Sequence, residues 1–181
     1  MKILVGITGA VGVLGIHAYL LRLAAEPGAE VALMMTATAA HIVDPGALGA
    51  VLRCDVTVEP WQQRRAVPPS ALTEGIDVLL VAPASATTIA WCATGAAANL
   101  VAACYLSHAG RTVFAPSMAP KMLTHPATKR NLRVLTADGA TVLPSGEGVQ
   151  IATGRWTPGA LCDYATLRAA VLGIEVADGI R

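Results

Sequence analysis

The segment Val78-Leu79-Leu80-Val81-Ala82-Pro83-Ala84-Ser85-Ala86-Thr87-Thr88-Ile89-Ala90 decides the fold. An apolar, β-branched run stops at a proline, and small and hydroxyl residues follow before a helical pattern begins. A buried parallel strand running into a helix N-terminus has this pattern. Such a junction presents free backbone N–H groups at a carboxyl strand end, where α/β folds bind ligands.

Two more segments repeat it. Lys2-Ile3-Leu4-Val5-Gly6-Ile7-Thr8-Gly9-Ala10-Val11-Gly12 is an apolar strand meeting a Gly/Thr turn. Gly6, Gly9 and Gly12 permit close backbone approach to a ligand, but their spacing is not the G-x-G-x-x-G dinucleotide fingerprint. Val31-Ala32-Leu33-Met34-Met35-Thr36-Ala37-Thr38 again ends in hydroxyls at a helix start. Thr36 and Thr38 suit either a phosphate at the helix N-terminus or plain N-caps.

Strands are expected near 2–7, 30–35, 77–82, 111–115 and 140–143. Helices are expected near 12–25, 38–52, 86–94, 97–108, 126–137 and 159–173. This alternation predicts an α/β fold with a Rossmann-like, doubly wound parallel sheet in a flavodoxin-like three-layer sandwich. One domain spans 1–181. Residues 59–70, with Pro60, Trp61, Pro68 and Pro69, are expected to form a surface loop. Residues 144–158 show little periodicity and are expected to be a long functional or mobile loop.

Of the 181 residues, 54% are hydrophobic and 14% charged, and the formal net charge is +1. That balance offers no electrostatic basis for nucleic-acid binding, and 4% aromatics offer few stacking platforms. Residues 78–110 contain no Asp, Glu, Lys or Arg. Pro83, Gly95 and Asn99 interrupt the run, so no lipid-spanning segment is expected. Part of it is expected to lie buried between subunits. The N-terminus runs directly into the Gly/Thr turn, without a signal-peptide pattern, and a cytoplasmic location is expected. Cys54, Cys92, Cys104 and Cys162 lack C-x-x-C spacing, and reduced, mostly buried thiols are expected rather than a zinc site.

Pro83-Ala84-Ser85-Ala86-Thr87-Thr88 resembles the P-A-S-A-N-T motif of the homo-oligomeric flavin-containing cysteine decarboxylases. This family includes phosphopantothenoylcysteine decarboxylases and the peptidyl-cysteine decarboxylases of lantibiotic- and thioamitide-type peptide biosynthesis. Gly95-Ala96-Ala97-Ala98-Asn99-Leu100 is similar to its G-x-x-D-N-L-L segment. Ala115-Pro116-Ser117-Met118-Ala119-Pro120-Lys121-Met122 is similar to P-x-M-N-x-x-M. Ile151-Ala152-Thr153-Gly154-Arg155-Trp156 resembles the S-G-R-Y stretch of the substrate clamp in the peptidyl branch. The motifs occur in order along nearly the whole chain.

The resemblance implies FMN bound between subunits of a trimer that can assemble further to a dodecamer. It implies flavin contacts from Gly9, Ala10, Val11, Pro83, Ala84, Ser85 and Thr88, with Thr36 and Thr38 at the phosphate. It implies substrate contacts from Met118, Ala119, Met122, Arg155 and Trp156, and a peptide with a C-terminal cysteine as partner. Arg155 would hold a carboxylate or sit on the surface; Trp156 would close over the substrate or pack its own loop.

The chain also departs from the family. Pro69 stands where the family's catalytic histidine falls by gapless counting. Ala119 and Thr87 replace motif asparagines, and Ala98 replaces the aspartate. The base is therefore unknown; His17, His41 or His125 would serve only if folding brought one to the flavin. The stretch from Gly148 to Gly154 lacks the clamp cysteine of the phosphopantothenoyl branch, which favours an enethiol product. The expected activity is FMN-dependent oxidative decarboxylation of a peptide C-terminal cysteine, as in aminovinyl-cysteine biosynthesis. The alternatives are a non-catalytic flavin-binding partner subunit, a flavin prenyltransferase, or a phosphopantothenoylcysteine decarboxylase.

Overall fold

All seven residues of the strand Val78–Ala84 are buried, as befits a central parallel strand covered on both faces. The computed structural model describes residues 1–59 and 67–174. In chain order the elements begin β1 (Lys2–Ile7), a 3-10 turn (Val11–Gly15), α1 (Ile16–Ala24), β2 (Glu30–Met35), α2 (Ala37–Ile42), α3 (Pro45–Leu52) and β3 (Val56–Val58). They continue with α4 (Pro69–Thr73), β4 (Val78–Ala84), α5 (Ala86–Thr94), α6 (Leu100–Ser107) and β5 (Arg111–Pro116). Then follow α7 (Pro120–Thr124), α8 (Pro126–Ala137), β6 (Thr141–Val142), β7 (Gly146–Gln150), β8 (Arg155–Ala160) and α9 (Tyr164–Leu172).

Six parallel strands pair in the order β3-β2-β1-β4-β5-β6. This is the Rossmann order; the flavodoxin-like expectation holds for the three layers but not for that fold's 2-1-3-4-5 order. Alternate strand residues feed two cores. Ile3, Val5, Leu80 and Val113 pack with Leu20 of α1, Leu48 of α3 and Leu167 of α9. Leu4, Leu79, Val81 and Phe114 pack with Ile89 of α5, Leu100 and Val101 of α6 and Leu135 of α8. The order reverses between β1 and β4, and a crevice opens at their carboxyl ends, as it does at the switch point of such sheets.

Several expected elements are corrected. The helix expected over 38–52 is two helices. Asp44 accepts a hydrogen bond from Ala47 N–H at 2.7 Å, with Pro45 at the first helical position, so a new helix starts there. The expected loop 144–158 is largely an antiparallel hairpin, β7 with β8. β7 holds Gly146, Glu147, Gly148 and Gln150 around a single apolar residue, Val149, and β8 contains Pro158 and Gly159, so no apolar alternation marks them. The helix expected from 159 begins at Tyr164, capped by Asp163, because 159 and 160 belong to β8. Strand β3 and the short helices α4 and α7 are additional. Within the expected surface loop, residues 60–66 lie outside the described residues.

Much of the uncharged run 78–110 is buried within the chain's own core. Residues of β4 and Leu100–Cys104 of α6 are buried in the chain's own core, while Ala97 and Ala98 are exposed.

Candidate functional site

Three loops meet above the sheet. Thr8, fully buried after β1, donates its hydroxyl to the Pro83 carbonyl at 2.6 Å and accepts from Ser85 N–H at 2.8 Å. Ser117 N–H donates to the Ala84 carbonyl at 3.0 Å, tying the end of β5 to the end of β4. Met118 N–H donates to the Gly159 carbonyl at 2.9 Å, which docks the hairpin on the same edge.

Between these loops lies a cavity of about 570 Å³, within the usual range for small-molecule and cofactor sites. Its floor comes from Gly9–Gly12 and Ser85–Thr87, one wall from Ser117–Pro120 with Met122, and the opposite wall from the hairpin. Among the described residues, none that faces this cavity carries a titratable side chain.

Glycines set the cavity's shape. A Cβ on Gly9 would lie 2.3 Å from Thr38 Cγ2, so the β1 turn and the start of α2 touch through that glycine. A Cβ on Gly12 would lie 2.8 Å from Ser117 Oγ.

Gly9, Ala10, Val11, Ser85, Met118, Ala119 and Met122 all face the cavity. Pro83 backs it, its carbonyl held by Thr8, and Ala84 is buried in β4. Thr88 is committed to the protein: its hydroxyl accepts from Asn99 Nδ2 at 3.0 Å and lies 3.3 Å from Ser85 Oγ. Asn99 in turn caps α6 by accepting from Ala102 N–H at 2.7 Å. Thr36 caps α2, accepting from Ala39 N–H at 3.2 Å, and Thr38 packs on Gly9. Arg155 and Trp156 point to solvent outside the cavity, Trp156 with 72% of its surface exposed.

Pro69 opens α4 beneath α6, where its carbonyl accepts from Thr73 Oγ1 at 3.1 Å; it does not face the cavity. His17, His41 and His125 are exposed and do not line it, and His125 Nδ1 accepts from Ala127 N–H at the start of α8. Burial pushes the Cys92 and Cys104 thiols up to about 12 and Cys162 up to about 11. These thiols stay protonated at neutral pH and are not nucleophiles. Among the described residues, no group of His, Cys, Asp and Glu converges as a metal site.

Two participants escaped sequence reasoning. Ser117 stands at the unspecified position of P-x-M-N-x-x-M. Glu59 follows β3, and its carboxylate accepts from Ala37 N–H at 3.2 Å and also from Leu100 N–H. It thereby ties the N-termini of α2 and α6 together. No sequence signal marks a contact made across 41 residues.

The profile of the Flavoprotein family matches residues 1–173. The chain belongs to this family. Mersacidin decarboxylase of Bacillus sp. (strain HIL-Y85/54728) is 31% identical over 160 residues, covering 87% of this chain and 81% of that protein. The structure of the FMN-dependent cysteine decarboxylase SpaF superposes with a TM-score of 0.82 at 28% identity, covering 96% of both chains. EpiD complexed with the substrate peptide DSYTC shares the fold, with a TM-score of 0.82 at 20% identity over 94% of this chain and 98% of that one. The chain spans 31% of the length of the Bacillus subtilis bifunctional coenzyme A biosynthesis protein it also matches. The relatives thus include flavoprotein decarboxylases, of which SpaF is described as an FMN-dependent cysteine decarboxylase. No described helix is long and apolar enough to cross a membrane.

Proposed function

We propose that this chain is an FMN-dependent peptidyl-cysteine decarboxylase, converting the C-terminal cysteine of a precursor peptide to an enethiol. The observation that carries this reading is the cavity at the sheet's switch point. It is walled on one side by the P-S-M-A-P-K-M turn and on the other by a hairpin without cysteine.

The donor set fits FMN. The glycine turn after β1 admits a flat ring at close range, and Ser85, Thr87, Ser117 and Thr157 offer hydroxyls and Gln150 an amide in a largely apolar recess. Gly9, Ala10, Val11 and Ser85 would hold the flavin, with Pro83, Ala84 and Thr88 shaping the floor and Thr36 and Thr38 flanking the phosphate. When bound, FMN supplies the two-electron oxidation that makes loss of the carboxylate feasible.

The protein's own residues orient and enclose. Met118, Ala119 and Met122 form the substrate-facing wall, and the hairpin excludes water from the peptide terminus. Arg155 and Trp156, exposed on the hairpin, lie where a peptide approaching from solvent would meet them. With no titratable group facing the cavity among the described residues, the substrate cysteine enters as its thiolate.

The proposed assembly is a homotrimer or a dodecamer, in the cytoplasm. Val11 and Leu14 support it, because both stand more than half exposed on the turn after β1, and Val11 also faces the cavity.

Incubation with a peptide ending in cysteine should remove CO2 and two hydrogens, about 46 Da by mass spectrometry. A second reading, a flavin-binding subunit without catalysis, is favoured by Pro69 and by the uncharged cavity. It prevails if FMN-loaded protein leaves the peptide intact while a paired homologue restores the reaction.

A further inference from the structure

Ser117 is buried, with 5% of its surface exposed, and it faces the cavity. Among the described residues no buried polar atom is both sealed from solvent and unpartnered. Among the described residues three buried hydroxyls make no hydrogen bond, those of Ser117, Thr112 and Thr128, and of these only Ser117 faces the cavity. Thr8 and Thr88 spend theirs on backbone or side-chain partners, and Thr36 spends its own on a helix cap. The Ser117 hydroxyl makes no hydrogen bond among the described residues and opens onto the cavity.

Its surroundings indicate what it awaits. A Cβ on Gly12 would come within 2.8 Å of Ser117 Oγ and 3.4 Å of Pro83 Cβ. The hydroxyl therefore sits where the β1 turn and the end of β4 converge, on the floor side of the cavity rather than at the hairpin. Any residue larger than glycine at position 12 would press on it. The backbone of Ser117 is fixed by its N–H bond to Ala84 at 3.0 Å and by docking of the next residue on Gly159. A preorganised, nearly buried hydroxyl without a protein partner carries a desolvation cost that a ligand can offset.

We propose that Ser117 is a specificity-determining hydrogen-bond donor to the polar edge of the flavin ring, standing in a cavity whose motif amide is replaced by Ala119. This rests on the cofactor reading above. The hydroxyl donates to a ring oxygen or nitrogen. The reduced ring is richer in electrons, so the same bond favours the reduced state and raises the flavin's potential.

The test compares wild-type protein with Ser117→Ala and Ser117→Cys, the latter filling the space with a weaker donor. FMN affinity is measured by fluorescence quenching, midpoint potential by dye equilibration, and stability of the flavin-free protein by urea unfolding. Both variants are expected to bind FMN about threefold to tenfold more weakly, with a shifted flavin absorption band and a lower potential. The flavin-free Ser117→Ala protein should be as stable as wild type or more so, since a hydroxyl without a partner has been removed. Unchanged FMN affinity and spectrum in both variants overturn the proposal. A flavin-free Ser117→Ala protein that unfolds earlier also overturns it, by making the hydroxyl structural. If wild-type protein binds no FMN, the cofactor reading itself fails.

Discussion

Thr8 and Pro83, 75 residues apart, are joined by a buried 2.6 Å hydrogen bond from hydroxyl to carbonyl. Because Thr8 also accepts from Ser85 N–H, one side chain fixes both loops that form the cavity floor. Thr8→Val keeps the shape but leaves a buried carbonyl and a backbone N–H without partners. Urea unfolding should show a loss of about 2–4 kcal/mol with an unchanged m-value, and Thr8→Ser should recover most of it. An unaffected Thr8→Val protein would show that water replaces both bonds.

Gly159 has a φ of +112°, and a Cβ there would lie 2.1 Å from the Met118 carbonyl. Gly159→Ala should therefore break the 2.9 Å bond from Met118 N–H and release the hairpin while the sheet stays folded. Limited proteolysis within residues 146–160 should become at least about tenfold faster, equivalent to about 1.4 kcal/mol of local stability. Equal cleavage rates would mean that other contacts hold the hairpin.

The carboxylate of Glu26 receives Arg168 Nε at 2.6 Å and Nη2 at 2.8 Å, and Tyr164 Oη at 3.2 Å. The Arg168 guanidinium holds the Glu26 carboxyl below its ordinary range. Hydrogen bonds from Thr166 do the same for Asp163, the cap of α9. A depressed carboxylate stabilises the fold in its ionised form. The contribution is present above the unfolded pKa of about 4 and disappears as pH falls through the lower folded value. The stability gap between wild type and Glu26→Gln should be open at about pH 7 and close progressively below about pH 4. A gap independent of pH would exclude the ion pair as its source.

Since no titratable group among the described residues faces the cavity, kcat/KM for a cysteine-terminated peptide should rise with pH as the substrate thiol ionises, toward about pH 8.5. A histidine base would instead give an ascending limb near pH 6.5. Stopped-assay rates across this range distinguish the two, and a limb near 6.5 would place an imidazole at the site after all.

The alternation of apolar runs with helical segments sufficed for the α/β class and for locating five of the sheet's strands, because parallel strands buried on both faces stay apolar throughout. Local capping chemistry was readable at Thr36, which caps the helix that follows, whereas Asn99, expected inside a helix from 97, caps one that starts at Leu100. The motif residues Gly9, Ser85, Met118 and Met122 were recognisable in order along the chain, and folding brings all four to one cavity. The hairpin stayed hidden, because its strands are built of glycine, proline and polar residues around few apolar ones and so carry no apolar alternation. Tertiary structure alone decided the rest. It turned Arg155 and Trp156 outward, set Pro69 beneath α6, and committed Thr88 to Asn99. It also left the Ser117 hydroxyl open, while distant Thr8 and Glu59 clamp loops that sequence proximity never links. Composition and periodicity report which face of an element is buried; which polar group finds a partner depends on distances that only the packed sheet creates.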